Sequence, residues 1–363
     1  MVIETNITKM FGIKHPILNA PMGPFLTNEI AIGVSEAGGL GVVSHTAGVE
    51  SYRGVIAAME GEGPGGFSTG LGSDYMQKSL ALVVEHTDKP IGFNLRTGRN
   101  EQDAVSLARK LPKFIMENPK LKEQVVYAVT SAGSSGVLPK SKSFQKLREV
   151  SNIKHFHVAP ALWLADKCVA NGVDGFCCTG GEGGGHQSYE KVSTLVLLQQ
   201  VRQKYPDIPI VACGGFANGE GLAAAIAMGA GGVVMGSRFI GSKTSEFHEN
   251  YKAIIPTAKA GDTRLTTGVL GPIRLWKNKY CMSKELVGSK EELVAIEQSR
   301  SPQDMLDVMR HYVSVLDGDM EDSAVLLGQS AGIVNSIESI SDIISTITSD
   351  AEKLLKNAYA GIK

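Results

Sequence analysis

Eight short apolar runs recur along the chain, each closed by glycine, proline or asparagine and most followed by a segment with helical spacing. They span 16–21, 40–44, 90–95, 124–130, 155–159, 175–179, 209–212 and 232–235. The runs are continuous (Ile-Val-Ala-Cys at 210–213, Gly-Val-Val-Met at 232–235) rather than alternating, as expected of parallel strands covered on both faces. Helical patterns fall at 28–37, 103–111, 143–150, 162–171, 192–204, 219–228 and 246–255. Eight strand–helix units over roughly 240 residues predict an α/β fold, a closed (β/α)8 TIM barrel, with an open doubly wound sheet as the alternative. Two segments interrupt the alternation. Residues 45–78 read as a long surface loop near the barrel mouth. Residues 257–335 are more polar and read as a helical cap or substrate region. Ile337, Ile340, Ile343, Ile344 and Ile347 recur at spacings of three and four, which predicts a C-terminal helix over 336–363 packing on the barrel, itself assigned to 1–256.

Composition narrows the function. The 363 residues carry 36 basic and 37 acidic side chains, a net charge of -1, with no basic run. Nucleic acid and anionic membranes are therefore poor partners, and a small-molecule substrate is expected, with a homodimer left open. No 18-residue apolar run and no signal-like start are present, which places the expected protein in the cytoplasm. The five cysteines are odd in number, lack C-x-x-C spacing and read as buried, reduced thiols. Gly61, Gly63 and Gly66 have dinucleotide-fingerprint spacing, but 55–60 reads as helix rather than strand, which argues against that use.

The chemistry concentrates at the ends of the runs. Thr179-Gly-Gly-Glu-Gly-Gly-Gly-His186-Gln-Ser follows the sixth strand and crowds five glycines before one imidazole. Such a stretch is conformationally costly unless the backbone must turn sharply or approach something closely. His186 is the candidate acid, base or hydrogen-bond donor. Glu182 reads as a brace of the loop. In a barrel, phosphate sites form after strands seven and eight. Here these are Gly214-Gly215 and Gly236-Ser237, whose backbone N–H groups lie at expected helix starts. Asn19-Ala20-Pro21-Met22-Gly23 shapes the mouth at strand one, and Asn94 offers an amide to a ring edge at strand three. Thr130 at strand four and Thr179, Gly184 and Gly185 at strand six complete the candidate wall. His155 and His157 share one strand face and read as packing. No H-E-x-x-H or Cys/His ligand set appears, so no catalytic metal is expected. A flat heteroaromatic ring with a phosphate tail points to flavin mononucleotide (FMN).

These residues resemble the nitronate monooxygenase (2-nitropropane dioxygenase-like) family of FMN barrels. The similarity runs over about 12–256 and rests on Asn-Ala-Pro-Met-Gly at 19–23, Gly-Phe-Asn-Leu at 92–95, the loop at 180–186, Ala-Cys-Gly-Gly-Phe-Ala-Asn-Gly-Glu-Gly at 212–221 and Met-Gly-Ser-Arg-Phe at 235–239. An echo follows at 318–322 and 328–332. The resemblance implies FMN held by the first strand's backbone, Asn94, and phosphate contacts at Gly214, Gly215, Gly236 and Ser237, with His186 at the reactive flavin edge. Gly183 stands where the family commonly has alanine, and Gln187-Ser188 follow the histidine. Strand four lacks the histidine of typical nitronate enzymes. Segments 129–133, 160–165 and 191–194 look more like the related FMN-dependent enoyl-acyl carrier protein reductases. The leading expectation is oxidation of alkyl nitronates or nitroalkanes with O2. The alternative is an NAD(P)H-dependent flavin reductase acting on an enoyl thioester or quinone. An inosine-monophosphate dehydrogenase type of barrel would need a cysteine in the strand-six loop, and a binding-only barrel would have no turnover to lose on replacing His186.

Overall fold

The structure is a computed structural model that describes residues 3–46, 53–54, 56–57, 71–98, 101, 103–268, 271–299 and 301–362. The barrel strands are β1 Ile17–Asn19, β2 Gly41–Val43, β3 Ile91–Arg96, β4 Val125–Ser131, β5 Lys154–Ala159, β6 Gly175–Thr179, β8 Ile210–Cys213 and β9 Gly232–Met235. β7, Gly185–His186, lies outside the barrel. The eight barrel strands pair in parallel in the order β1-β9-β8-β6-β5-β4-β3-β2. The two end strands meet through a parallel Leu18–Leu40 bridge, which closes the cylinder. The buried Asn19 amide reinforces this thin seam, donating to the Val42 carbonyl at 2.9 Å and accepting from the Val42 N–H at 2.6 Å. An unsatisfied ladder here would leave buried backbone polar groups unpaired, and a short amide side chain can both donate and accept. The doubly wound alternative has open edges and does not describe this sheet.

The barrel is filled at its amino-terminal end. The short helix α1, Asn6–Phe11, inserts Ile7 and Phe11 beneath Leu18, Tyr127, Phe156, Cys177, Val211 and Val234. The rings of Phe11, Tyr127 and Phe156 meet edge to face, with centroids 5.2–5.6 Å apart. This plug leaves only the carboxyl-terminal mouth for function, as is usual in the fold. Outside the strands lie α2 Asn28–Glu36, α3 Leu71–His86, α4 Ala104–Glu117, α5 Pro119–Gln124, α6 Lys142–Val150, α7 Leu162–Ala170, α8 Thr194–Lys204, α9 Gly219–Ala227, α10 Ser237–Ile240 and α11 Glu249–Ile254.

Two departures from the sequence pattern matter. The expected loop 45–78 ends early: residues 71–78 already belong to α3, a 16-residue helix that buries Met76, Leu80, Val83 and Val84 at helical spacing. The glycine fingerprint at 61–66 lies outside the described residues, as does most of the expected helix at 55–60. Residues 257–335 are not helical throughout. β10 Thr263–Thr267 and β11 Pro272–Trp276 form an antiparallel hairpin, and β7 joins it to give a three-stranded sheet, β10-β11-β7. Both hairpin strands are only five residues long and rich in threonine and other β-formers, so their pattern is too brief to compete with the helices around them. Three helices follow, α12 Lys279–Met282, α13 Lys290–Ser299 and α14 Pro302–Ser314.

The terminal α15, Ile340–Ala360, begins at Ser339, whose hydroxyl accepts from the Asp342 N–H at 3.1 Å. It buries Ile340, Ile343, Ile344, Ile347 and Ala351 on one face, packed against α9 and α2. Among the described residues no helix is long and apolar enough to cross a membrane.

Candidate active site

The strand ends converge on a cavity of about 830 Å³ at the barrel mouth. Ala20, Pro21, Met22 and Gly23 line it from β1, Asn94 and Arg96 from β3, Ser131 from β4, Thr179 from β6, and Gly183 to Tyr189 from the following loop. Cys213 and Gly214 after β8, and Gly236 and Ser237 after β9, complete the ring.

The glycine loop has physical reasons for its composition. Gly184 passes so close to the 327–328 backbone that a Cβ there would lie 2.7 Å from the Gly328 nitrogen. Gly185 takes a φ of 78°, in the left-handed region that side chains avoid. Glu182 braces the loop: its carboxylate accepts from the Thr194 N–H at 2.8 Å and the Thr194 hydroxyl at 2.9 Å, where α8 begins. β7 then pairs with β11, Gly185 opposite Arg274 and His186 opposite Ile273, and the Gln187 N–H donates to the Pro272 carbonyl at 2.7 Å. The catalytic candidate is therefore held on a small sheet rather than on a free loop.

His186 is half-buried, and its Nε2 is buried with no hydrogen-bond partner among the described residues. Burial, together with the nearby Arg96 guanidinium, lowers its pKa to about 4. The imidazole is thus neutral at pH 7, a modest base with one ring nitrogen free for a ligand. Arg96 pairs with Glu101 at 3.2 Å, both largely buried. Its backbone N–H donates to His45 Nδ1 at 3.0 Å, and His45 Nε2 lies 3.2 Å from Asp103 Oδ2. His45, Glu101 and Asp103 lie close enough together to suggest a cation cluster. With Nδ1 accepting from Arg96 and Nε2 directed at Asp103, however, the His45 ring keeps no free lone pair, and the cluster works as a hydrogen-bonded support for the end of β3.

Asn94 spends both amide protons, on the Val129 carbonyl at 2.9 Å and the Ser131 hydroxyl at 3.1 Å. Its Oδ1 is left to accept from a ligand. At the far corner, Gly214 and Gly215 have φ of 91° and 88°. Gly236 starts α10, and a Cβ there would project between Ala20 and Met22, at 3.5 and 3.7 Å. The Ser237 hydroxyl accepts from the Gly328 N–H at 3.1 Å, which ties the corner to the segment 328–332. Ser330 of that segment lines the cavity. Backbone N–H groups at a helix start, with no Cβ in the way, are the kind of donors an anion cradle uses.

Thr130 requires a correction. Side chains on β4 alternate, and Tyr127 and Val129 face the barrel interior. Thr130 faces outward, where its hydroxyl lies between His155 Nε2 at 2.8 Å and His157 Nδ1 at 2.7 Å. Ser131, next along the chain, is the strand-four residue on the cavity wall. Gly215 sits beside Gly214 without lining the wall itself. Arg96, Ser131, Gln187, Tyr189 and Ser330 were not singled out from sequence. Arg96 could have been found, because it lies two residues beyond Asn94 and so shares its face. Ser330 lies in the 328–332 echo.

Fold and site together define a (β/α)8 barrel with a cavity ringed by its carboxyl-terminal strand ends and a glycine-bearing corner after its last two strands. Residues 4–350 match the family model for nitronate monooxygenase, and the chain belongs to that family. A Rhodococcus jostii protein named as a (3aS,4S,5R,7aS)-5-hydroxy-7a-methyl-1-oxo-octahydro-1H-indene-4-carboxyl-CoA dehydrogenase is 28% identical over 320 residues, 87% of this chain and 78% of its own. A probable nitronate monooxygenase from Staphylococcus saprophyticus is 28% identical over 316 residues, 77% of this chain and 80% of its own. Among solved structures, FabK from Thermotoga maritima superposes with a TM-score of 0.73 at 28% identity, covering 99% of this chain and 100% of that one.

Proposed function

We propose that this protein is an FMN-dependent oxidoreductase with His186 at the reacting centre. The observation that carries the reading is the buried, unpartnered Nε2 of His186 in a residue lining the same cavity as Gly214 and Gly236. Gly214, Gly215, Gly236 and Ser237 would hold the phosphate, with Gly215 contributing through its backbone. Ala20 to Gly23 would flank the ring, Asn94 Oδ1 would accept from a ring N–H, and Thr179, Gly184 and Gly185 would supply the remaining wall. Bound FMN supplies reversible electron transfer, which none of these side chains can provide.

The chain's own contributions follow from the geometry. His186, neutral and fixed by β11, orients the reacting atom and holds a proton at Nε2 only while a ligand stabilises that charge. Arg96 places a guanidinium on the cavity wall, where it can donate to an anionic substrate although Glu101 offsets part of its charge. These properties suit an alkyl nitronate, which is already an anion and needs no strong base before O2 oxidises it to a carbonyl compound and nitrite. The second reading, NAD(P)H-dependent reduction of an enoyl thioester, is supported by the extent of the cavity, whose lining includes Ser134, Pro160, Trp163 and Asn171 besides the strand ends.

An absorbance scan of the purified protein tests the class. A flavin spectrum, or uptake of FMN on titration, is expected, and a colourless protein that takes up none overturns it. Aerobic turnover of propionate nitronate without NADH oxidation supports the first substrate reading. Rapid anaerobic bleaching of the flavin by NADH or NADPH supports the second.

A further inference from the structure

The cavity wall is one-sided in charge. The chain has nearly equal numbers of basic and acidic residues. Yet the charged residues lining this cavity are Arg96, Lys167 and Lys290, with no aspartate or glutamate among its described lining. Arg96 sits at the inner end and is paired with Glu101. Lys167 and Lys290 are exposed, and neither forms an ion pair with a described carboxylate. The one acidic group on the Lys167 helix, Asp166, is already taken by Lys204 at 2.8 Å and the Tyr205 hydroxyl at 2.6 Å.

Beside Lys167 stands Trp163, 48% exposed although it lines the same cavity, with the Lys167 ammonium 4.7 Å from its ring centroid. An exposed indole is a stacking platform for a flat heterocycle, and an ammonium over its ring adds a positive charge where a phosphate would follow. Two cations without a described carboxylate partner, at the rim of a cavity whose described lining holds no acids, complement a polyanion.

We propose that the exposed rim of the cavity, where Trp163 and Lys167 stand together and Lys290 adds a second exposed cation, binds the adenosine diphosphate end of a second ligand whose reactive end reaches His186. The proposal rests on reading the inner end as the FMN site. Adenine stacks on Trp163, and Lys167 and Lys290 neutralise the phosphates. This chemistry is shared by a coenzyme A thioester and by a nicotinamide dinucleotide.

Calorimetric titration of the FMN-loaded wild-type protein with ADP, 2′-phospho-ADP-ribose and 3′,5′-ADP tests it. Saturable binding of at least one nucleotide is expected, weakened roughly tenfold or more in Trp163→Ala and in Lys167→Glu. Preference for 3′,5′-ADP identifies a coenzyme A tail as the source, and preference for either of the others identifies a nicotinamide reductant. No binding up to millimolar concentration, or binding undiminished in both variants, overturns the proposal. FMN uptake read from absorbance in the same samples keeps the two readings apart. A protein that takes up FMN and ignores the nucleotides defeats this inference alone, and one that takes up no FMN defeats the functional reading beneath it.

Discussion

At the scale of single residues, burial decides what His186 can do. With its pKa lowered to about 4, the ring stays neutral down to mildly acidic pH. The pH profile of kcat/KM should therefore show no limb from this group near 6.5 and should fall only as pH drops through about 4. A limb centred near 6.5 that vanishes in His186→Gln would contradict this. Replacing His186 by Ala should lower turnover by about 10²–10⁴-fold while FMN stays bound, the range expected of a positioned acid–base group. Turnover unchanged with FMN retained would leave only a binding role. That His186, Asn94, Gly214 and Gly236 meet at one cavity could be read from their spacing, but the facing of Thr130 could not. On a strand with apolar cover on both sides, alternation carries no signal of which face is inside. Thr130→Val separates the two assignments. It should cost about 1–3 kcal/mol by leaving the buried His155 and His157 rings without their hydroxyl partner, and FMN affinity should not change. Weakened FMN binding at unchanged stability would restore the sequence expectation. The same scale explains one departure from the family pattern. The Gln187 amide donates to the Gly183 carbonyl at 2.8 Å, and a Cβ at position 183 would lie 2.8 Å from that same nitrogen. Glycine at 183 and glutamine at 187 therefore belong together.

At the scale of elements, the eight barrel strands were legible because each is an apolar run with a glycine, proline or asparagine at its end. The hairpin of β10 and β11 was not, because its role depends on a partner roughly 90 residues away in sequence, and such long-range pairing leaves no local mark. That hairpin supports the site. Arg274 of β11 donates from Nε to the Gly181 carbonyl at 2.8 Å and from Nη1 to the Thr263 hydroxyl at 3.1 Å, binding the glycine loop to both strands. Arg274 is a positioning residue, since it touches the loop and does not line the cavity. Arg274→Ala removes a charge-assisted hydrogen bond, so turnover should fall about tenfold or more, with FMN affinity altered much less. The Lys variant, which can still donate one hydrogen bond, should recover part of the loss. Equal losses in Ala and Lys variants, accompanied by FMN release, would mean that the hairpin only holds the fold together.

At the scale of the whole molecule, three neutral histidines couple stability to pH. Burial lowers His155 to about 3, with His157 and Arg148 adding to the effect, and burial alone lowers His157 to about 4. His186, at about 4, is the third. Each has a pKa near 6.5 once unfolded, so between pH 6.5 and about 4 the unfolded chain binds protons that the folded chain refuses. Stability contributed by these groups is complete above pH 6.5, is lost as pH falls through that window, and changes little more once pH is below about 3. Each group can contribute up to about 1.4 kcal/mol per pH unit where the two states differ by a full proton. The urea midpoint of the FMN-free protein should therefore drop steeply between pH 7 and 5, well before most carboxylates titrate. His157→Gln should make that drop shallower even if it lowers stability at pH 7, because its side chain does not ionise. A midpoint that holds constant from pH 7 to 5 would mean that the three rings are not kept neutral by their surroundings, and the argument for an uncharged His186 at the cavity wall would fail with it.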